Sequence, residues 1–121
     1  MMDFSLTSEQ RMIRDMVREF AKDRLKPDAK RLDETGDFPF AALREMAELG
    51  LMGVNVSADY GGTEAGVVAY SLAMTEISAA CASTAVTTGV TNMVAEIIQK
   101  YGSEEQKEIH IPAICSGDAV C

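Results

Sequence analysis

Apolar residues recur at helical spacing along most of the chain, and the pattern predicts helices rather than strands. The first helix is marked by Thr7-Ser8-Glu9-Gln10, in which the Thr7 and Gln10 side chains can each bond the other residue's amide as a capping box. The apolar residues that follow share one helical face: Ile13, Met16, Val17, Phe20 and Ala21. Pro27 is expected to end or kink this helix because it lacks an amide donor, and a short helix over Asp28 to Glu34 is expected to follow.

A third helix is predicted after a break at Thr35-Gly36-Asp37, with Pro39 in its first turn, where a missing amide costs nothing. Gly50 is expected to end it, because glycine readily takes the left-handed conformation of a helix cap. Its buried face is expected to comprise Phe40, Leu43, Met46 and Leu49. Beyond it we expect an extended segment over Leu51 to Val56 and a loop over Ala58-Asp59-Tyr60-Gly61-Gly62.

Three further helices are predicted in the second half of the chain. The fourth runs roughly from Gly66 to Ala80 and is expected to be covered on all sides, and the fifth runs from about Ser83 to Tyr101. The sixth opens with a second capping box, Ser103-Glu104-Glu105-Gln106, is interrupted near Pro112 and closes at Ser116-Gly117. The fold class is therefore all-α, with about six helices in an irregular up-and-down or orthogonal bundle. The last residues, Ala119-Val120-Cys121, look like a strand without a partner, so residues 1–121 are expected to be the first domain of a longer protein.

Length and charge narrow the possible functions. A chain of 121 residues supports one domain with one core, and a net charge of −8 argues against nucleic acid or an anionic membrane as the partner. The charges are uneven, with 19 charged residues from Glu9 to Glu48 but only two from Ala65 to Gln99, so the second stretch is expected to be covered on most sides. The uncharged run Ile77 to Ala95 contains seven Ser, Thr and Asn residues, which makes it too polar to span a bilayer.

The usual catalytic and cofactor signatures are missing from the sequence. Cys81, Cys115 and Cys121 are odd in number and irregularly spaced, so we expect small buried thiols in a reduced compartment, cytoplasmic or a mitochondrial matrix. His110 is the only histidine, and the Glu three residues before it that a carboxylate-bridged metal site needs is replaced by Lys107. The glycines from Gly61 to Gly66 stand in the wrong order for a dinucleotide fingerprint, which favours a structural turn. The residues alone therefore predict no catalytic, cofactor-binding or metal site.

The fifth helix is unusual because it is rich in small and hydroxyl-bearing residues. Ala85, Gly89 and Met93 share one stripe at a spacing of four residues, and a glycine inside a helix costs about 1 kcal/mol relative to alanine. Two interpretations remain open at this point: another helix packs closely against this stripe, or a ligand lies along it.

The ordered set of motifs resembles the amino-terminal helical domain of acyl-CoA dehydrogenases, and the resemblance covers the whole chain. The matching segments are Leu6-Thr7-Ser8-Glu9-Gln10, Phe20-Ala21, Thr35-Gly36-Asp37-Phe38-Pro39, Glu48-Leu49-Gly50-Leu51-Met52-Gly53, Tyr60-Gly61-Gly62, Thr75-Glu76-Ile77, Lys100-Tyr101-Gly102-Ser103-Glu104-Glu105-Gln106-Lys107 and Ser116-Gly117-Asp118.

The resemblance implies a subunit in which a middle β-domain and a carboxy-terminal helical bundle follow this domain, usually assembled as a homotetramer. It implies an FAD enzyme that dehydrogenates acyl-CoA thioesters between the α and β carbons and passes electrons to an electron-transferring flavoprotein. The catalytic base and the flavin contacts are expected beyond residue 121, whereas family positions that line the acyl-chain pocket fall on Ala85, Val86, Gly89 and Met93. Because Ala85 and Gly89 are small, the pocket is expected to take a longer, branched or cyclic acyl group. The alternatives are an acyl-CoA oxidase or flavin monooxygenase of the same fold, or a stand-alone helical binding module.

Overall fold

All 121 residues are described by the computed structural model, and every regular element in it is helical. The elements are α1 (Ser8–Phe20), a π-turn (Ala21–Leu25), α2 (Lys26–Thr35), α3 (Phe40–Glu48), a 3-10 turn (Ala58–Tyr60), α4 (Val67–Ala80), α5 (Ala82–Tyr101) and α6 (Glu104–Cys115). The prediction of an all-α fold with about six helices is therefore confirmed.

The chain stays helical from α1 through to the end of α2. The α1 capping box forms as predicted, with the Gln10 amide donating to Thr7 Oγ1 at 3.1 Å and the Thr7 amide donating to Gln10 Oε1 at 2.9 Å. Pro27 was expected to end or kink this run, and regular α-helical bonding does stop at Phe20; a π-turn follows, in which the Lys26 amide bonds the Ala21 carbonyl, and α2 begins at Lys26. A widened turn ahead of a proline accommodates the missing amide, because Pro27 falls in the first turn of α2 and needs no intrahelical partner there.

The end of α3 follows the predicted glycine cap. Gly50 has φ of +79°, its amide bonds the Ala47 carbonyl at 2.9 Å, and the Leu51 amide reaches the Met46 carbonyl at 2.9 Å, which is a Schellman motif. The predicted buried face of α3 is wrong at one residue. Phe40 is exposed, because it is the first residue of α3. Its ring lies against that of Phe38 in a tilted arrangement, with the centroids 4.6 Å apart.

The long connection between α3 and α4 is a series of turns, so the prediction that Leu51 to Val56 is extended is wrong. The backbone folds back on itself through bonds from the Thr63 amide to the Gly53 carbonyl (3.0 Å) and from the Ala65 amide to the Val54 carbonyl (2.8 Å). Most of this segment is nevertheless buried, and it forms the wall of the domain that faces α5.

The sixth helix also differs from its prediction, because Pro112 does not interrupt it. Pro112 lies on the exposed side of α6, so the Glu108 carbonyl that loses its amide partner there can be hydrated. The last three residues form no strand. Instead, the Cys121 amide donates to Thr91 Oγ1 at 3.2 Å, and the Thr91 hydroxyl donates to the Cys121 carbonyl at 3.3 Å.

Two clusters of buried apolar side chains hold the helices together. The larger cluster joins α1, α2, α3, the turns after α3 and α4, and it includes Val17, Leu43, Met46, Met52 and Ile77. The smaller cluster lies under the 3-10 turn, where Val56 and Ala95 pack against Ile111 and Ile114 of α6. Between these clusters, α5 contacts α4 on one side and α6 on the other, which makes it the central helix of the second half.

Candidate functional site

Helix α5 has an inverted distribution of polarity, with its hydroxyl and amide side chains inside and its aliphatic side chains outside. The buried residues are Thr84, Ala85, Thr88, Thr91, Asn92 and Ala95. The exposed large apolar residues are Val86, Val90, Met93, Ile97 and Tyr101. A surface helix normally turns its apolar face towards the core, and an outward apolar face of this kind is typical of a ligand-binding or interaction surface.

The buried polar groups of α5 are bonded within the domain. Thr84 Oγ1 donates to Cys81 Sγ at 3.2 Å, and Thr88 Oγ1 donates to the Thr84 carbonyl at 2.8 Å. These hydroxyl groups therefore stabilise the interior and do not face a ligand, which rules them out as lining residues.

Asn92 is the most important of these buried groups. Its amide nitrogen donates to the Leu51 carbonyl at 2.8 Å and to the Thr88 carbonyl at 2.9 Å, and its amide oxygen accepts from the Val54 amide at 2.9 Å. These contacts fix the turns after α3 against the middle of α5. Sequence reasoning noted Asn92 only as one polar residue among several. Its signal was its place on the same helical face as Thr84, Thr88 and Ala95.

The structure places the four predicted pocket residues, Ala85, Val86, Gly89 and Met93, along a single groove of about 450 Å³ beside α4. They do not contribute equally. Val86 and Met93 are 66% and 51% exposed, whereas Ala85 is 4% exposed and packs mainly into the larger core cluster. The groove is completed by Met74 and Ser78 from α4, together with Ala82 and Val90. The α5 residues and Met74 give this groove a largely apolar lining.

The absence of a side chain at Gly89 widens this groove. A Cβ atom built on Gly89 would meet the Met74 methyl group at 3.4 Å and the Tyr70 hydroxyl oxygen at 3.6 Å, both at the free ends of flexible side chains. No backbone approaches it. The interpretation that another helix within the domain packs closely against Gly89 is therefore not supported, and the groove interpretation is favoured.

A second groove of about 880 Å³ continues from the first, since Gly89 and Met93 line both. Its walls include Val67 and Ile97, and its far end carries the polar residues Asn55, Tyr70, Glu96, Gln99 and Lys100. Partial burial, followed by the negative charge of Glu96, raises the pKa of Tyr70, so its phenol stays protonated at neutral pH. The prediction that α4 is covered on all sides is wrong, because Val67 and Val68 are exposed at its first turn. Tyr70 and Asn55 carried no sequence signal, because their place in the groove depends on contacts between distant segments.

The glycines at the start of the loop serve packing within the domain. A Cβ atom on Gly62 would lie only 2.1 Å from the Val56 carbonyl oxygen, so the space above this glycine is filled by the domain's own backbone. Gly61 has φ of +92° and closes the 3-10 turn. These two glycines are therefore required by the tight turn itself.

The remaining reactive groups do not form a site. Cys81 and Cys115 are buried, but Cys121 is exposed, which corrects the expectation that all three are buried. Burial raises the pKa of the Cys115 thiol; at Cys81 burial also raises it, but hydrogen bonds from Ser83 and Thr84 outweigh that effect and lower the pKa. His110 is exposed on α6. The structure has no group of three or more metal-ligating side chains, and none of its helices has the length and hydropathy to cross a bilayer.

Comparison with protein families gives a match over residues 7–118 to the model described as acyl-CoA dehydrogenase, N-terminal domain. The probable acyl-CoA dehydrogenase YngJ of Bacillus subtilis (strain 168) is 40% identical over 120 residues, which cover 98% of this chain and 32% of that protein. The chain thus spans about a third of the length of the curated relatives it matches.

Solved structures give the same result. A chain in the structure described as the electron transferring flavoprotein of Acidaminococcus fermentans superposes with a TM-score of 0.92 at 34% identity, covering 98% of this chain and 32% of that one. A glutaryl-CoA dehydrogenase from Mycobacterium smegmatis, described in complex with FADH2, superposes with a TM-score of 0.89 at 32% identity, covering 95% of this chain and 30% of that one.

Proposed function

The chain belongs to the acyl-CoA dehydrogenase family, and we propose that it is the amino-terminal helical domain of an FAD-dependent enzyme that dehydrogenates acyl-CoA thioesters between the α and β carbons. The reaction converts an acyl-CoA and an oxidised acceptor into the corresponding enoyl-CoA and the reduced acceptor. The observation that carries the proposal is the outward apolar face of α5, which borders two connected grooves.

The domain's role in this proposal is to bind the acyl chain. Ala85, Val86, Gly89 and Met93 line the first groove, and burial of apolar chain against such side chains contributes about 25 cal/mol per Å². No residue of this domain is assigned to proton or hydride transfer. FAD is proposed to bind mainly outside residues 1–121, because the resemblance to the family puts the flavin contacts in the later domains; a related glutaryl-CoA dehydrogenase is described in complex with FADH2.

Two further parts of the proposal concern partners. The resemblance to the family supports an electron-transferring flavoprotein as the electron acceptor, and one matching chain comes from a structure whose description names such a flavoprotein. The same resemblance supports assembly of the full-length subunits into a homotetramer.

The first test is made on the full-length protein that carries this domain. We expect a yellow protein whose flavin absorbance is bleached anaerobically by an acyl-CoA thioester, with formation of the enoyl product. A protein that is colourless, or that retains its flavin colour with every acyl-CoA tried, would overturn the proposal. Rapid reoxidation of the bleached flavin by oxygen would instead favour an oxidase of the same fold.

The second test concerns Gly89. In the full-length enzyme Gly89→Glu is expected to shift the ratio of kcat/KM for long against short acyl chains by about tenfold towards short chains, because the new side chain would fill the groove. Ser71→Glu is the matched control, since Ser71 is exposed on α4 and lies outside both grooves. An unchanged ratio in Gly89→Glu would show that the acyl chain does not lie along α5.

A further inference from the structure

The far end of the second groove is polar, and its position along α5 can be fixed from hydrogen bonds. The turns after α3 run beside α5, with the Val54 amide bonded to Asn92 and the Ser57 amide bonded to Gln99 Oε1 at 2.7 Å. Asn55 therefore lies between these two levels of the helix, opposite the turn that carries Glu96. Tyr70 reaches the same region from α4.

Three polar groups in this region have no partner within the domain. Asn55 Oδ1 is buried and accepts no hydrogen bond. The Tyr70 hydroxyl and the Glu96 carboxylate line the same groove, and neither takes part in a hydrogen bond or ion pair within the domain. Glu96 differs in this from Glu76, the other carboxylate of the sparsely charged stretch, which accepts from Arg18 at 2.8 Å. A buried polar group without a partner is rare in folded proteins and calls for an explanation.

The chemistry of these groups selects among possible acyl chains. A purely apolar chain that passed Gly89 and Met93 would cover the Tyr70 hydroxyl and the Glu96 carboxylate and remove their access to water, and it would leave Asn55 Oδ1 without a partner, which is unfavourable for polar groups. A hydroxyl group both donates and accepts, so it can donate to a carboxylate or amide oxygen and accept from a phenol. It thus suits this end of the groove whichever way the Asn55 amide is turned.

We propose that Asn55, Tyr70 and Glu96 bind a hydroxyl group on the distal part of the acyl chain, so that the enzyme prefers hydroxylated acyl thioesters to unsubstituted ones of the same length. This inference rests on the proposed function, because it assumes that an acyl chain lies along α5. From Val86 to Glu96 the helix rises about 15 Å, so the preference belongs to medium and long chains and is absent for butyryl-CoA.

The test is a kinetic series on the full-length holoenzyme. Octanoyl-, dodecanoyl- and hexadecanoyl-CoA are each compared with the ω-hydroxylated form of the same chain, and butyryl-CoA reports dehydrogenation as such. We expect kcat/KM to be about tenfold higher for the hydroxylated form at one or more of these lengths, in keeping with one added hydrogen bond and the relief of an unpartnered group.

Variants then show whether these residues cause the preference. Tyr70→Phe removes only a hydroxyl group that has no partner in the domain, and Glu96→Gln removes only the charge, so each is expected to lower the ratio of hydroxylated to unsubstituted substrate by threefold or more. Glu108→Gln, on the exposed side of α6 and outside the groove, is the control and should leave the ratio unchanged.

The outcomes separate the two proposals. Turnover of butyryl-CoA with a ratio near one at every longer length would overturn this inference alone, and would mean that the polar end of the groove holds only water. A preference that survives in both variants would also overturn it. Absence of turnover with every thioester would overturn the proposed function, and this inference with it.

Discussion

At the scale of single residues, Asn92 shows how one buried amide determines the shape of a neighbouring loop. It is 1% exposed and satisfies two backbone groups of the turns after α3, the Leu51 carbonyl and the Val54 amide. Those turns in turn hold Asn55 at the edge of the second groove. Asn92 thus acts on the groove through the backbone it holds in place.

Replacing Asn92 by alanine is expected to lower the free energy of unfolding by about 2 to 4 kcal/mol, because two buried backbone groups would lose their partner. Urea unfolding of the 121-residue chain, followed by circular dichroism, measures this. Thr87→Ala is the control, since its hydroxyl bonds only the Ser83 carbonyl on the same helix, and it should change stability by less than about 0.5 kcal/mol. Equal effects of the two substitutions would contradict the role given to Asn92.

The ion pair between Arg24 and Glu45 gives the domain a predictable response to acid. It joins the π-turn to α3, and the hydrogen bond from Arg24, reinforced by its charge, lowers the pKa of Glu45 from its ordinary value of 4.5. A carboxyl group whose pKa is lower in the folded state stabilises the fold fully above its unfolded pKa. That contribution is lost as the pH falls through the lower, folded value.

Glu45→Gln should therefore be less stable than the unmodified domain above about pH 5, with a difference that shrinks steadily below pH 4.5. Urea unfolding at a series of pH values measures the difference. Glu108→Gln removes an exposed carboxylate that makes no ion pair, so it should show no such dependence. A Glu45→Gln deficit that stayed constant down to pH 3 would contradict the pair's contribution.

Features predicted correctly from the sequence are those whose interacting groups lie close together along the chain. The two capping boxes and the Gly50 cap were predicted because each involves groups within five residues of one another. The sequence predicts an extended segment over Leu51 to Val56, whereas the structure has turns there. Their shape depends on Asn92, about forty residues further along the chain. Asn55 and Tyr70 were missed for the same reason.

At the scale of helices, Pro112 disrupts its helix less than the sequence predicts. Both Pro27 and Pro112 lie where the chain stays helical: the first falls in a helical first turn behind a π-turn, and the second lies on a solvated face. A proline is tolerated in the first turn of a helix, and on a solvated face water can satisfy the carbonyl that loses its amide partner.

Helix α5 carries the main functional signal at this scale, because its apolar side chains point outward. In the sequence the small and hydroxyl residues suggested either a close helix contact or a ligand groove, and the periodicity did not show which face lay inside. The structure shows that the threonines are internal and that Val86, Met93 and Ile97 are external.

A variant that combines Val86→Gln, Met93→Gln and Ile97→Gln is expected to keep the unfolding free energy of the 121-residue chain within about 0.5 kcal/mol, because these side chains are exposed and glutamine is a good helix former. Self-association and binding of a hydrophobic dye should both fall. Sedimentation and dye fluorescence measure these effects. A loss of several kcal/mol would instead show that this face is packed within the domain.

At the scale of the whole molecule, the uneven charge along the sequence corresponds to two different surfaces. The densely charged first half forms α1 to α3, with ion pairs such as those of Arg18 and Arg24 at the surface. The sparsely charged half carries the apolar face of α5 and both grooves. The charge count predicted which half carries exposed apolar surface, and it carried no information about what binds there.

We propose that this domain binds the acyl chain and that other domains supply the flavin contacts and the catalytic base. This proposal predicts how residues 1–121 behave alone. The chain should fold as a helical domain, because its buried side chains form two clusters of their own. It should bind no flavin and show no dehydrogenase activity, because the flavin contacts and the catalytic base are proposed to lie mainly outside residues 1–121. Circular dichroism, flavin titration by fluorescence and an acyl-CoA assay test these three statements on one sample.

The full-length protein, assayed in parallel, should bind flavin and turn over acyl-CoA. Turnover by the 121-residue chain would contradict the assignment of the chemistry to other domains, whereas a colourless full-length protein would favour a helical binding module.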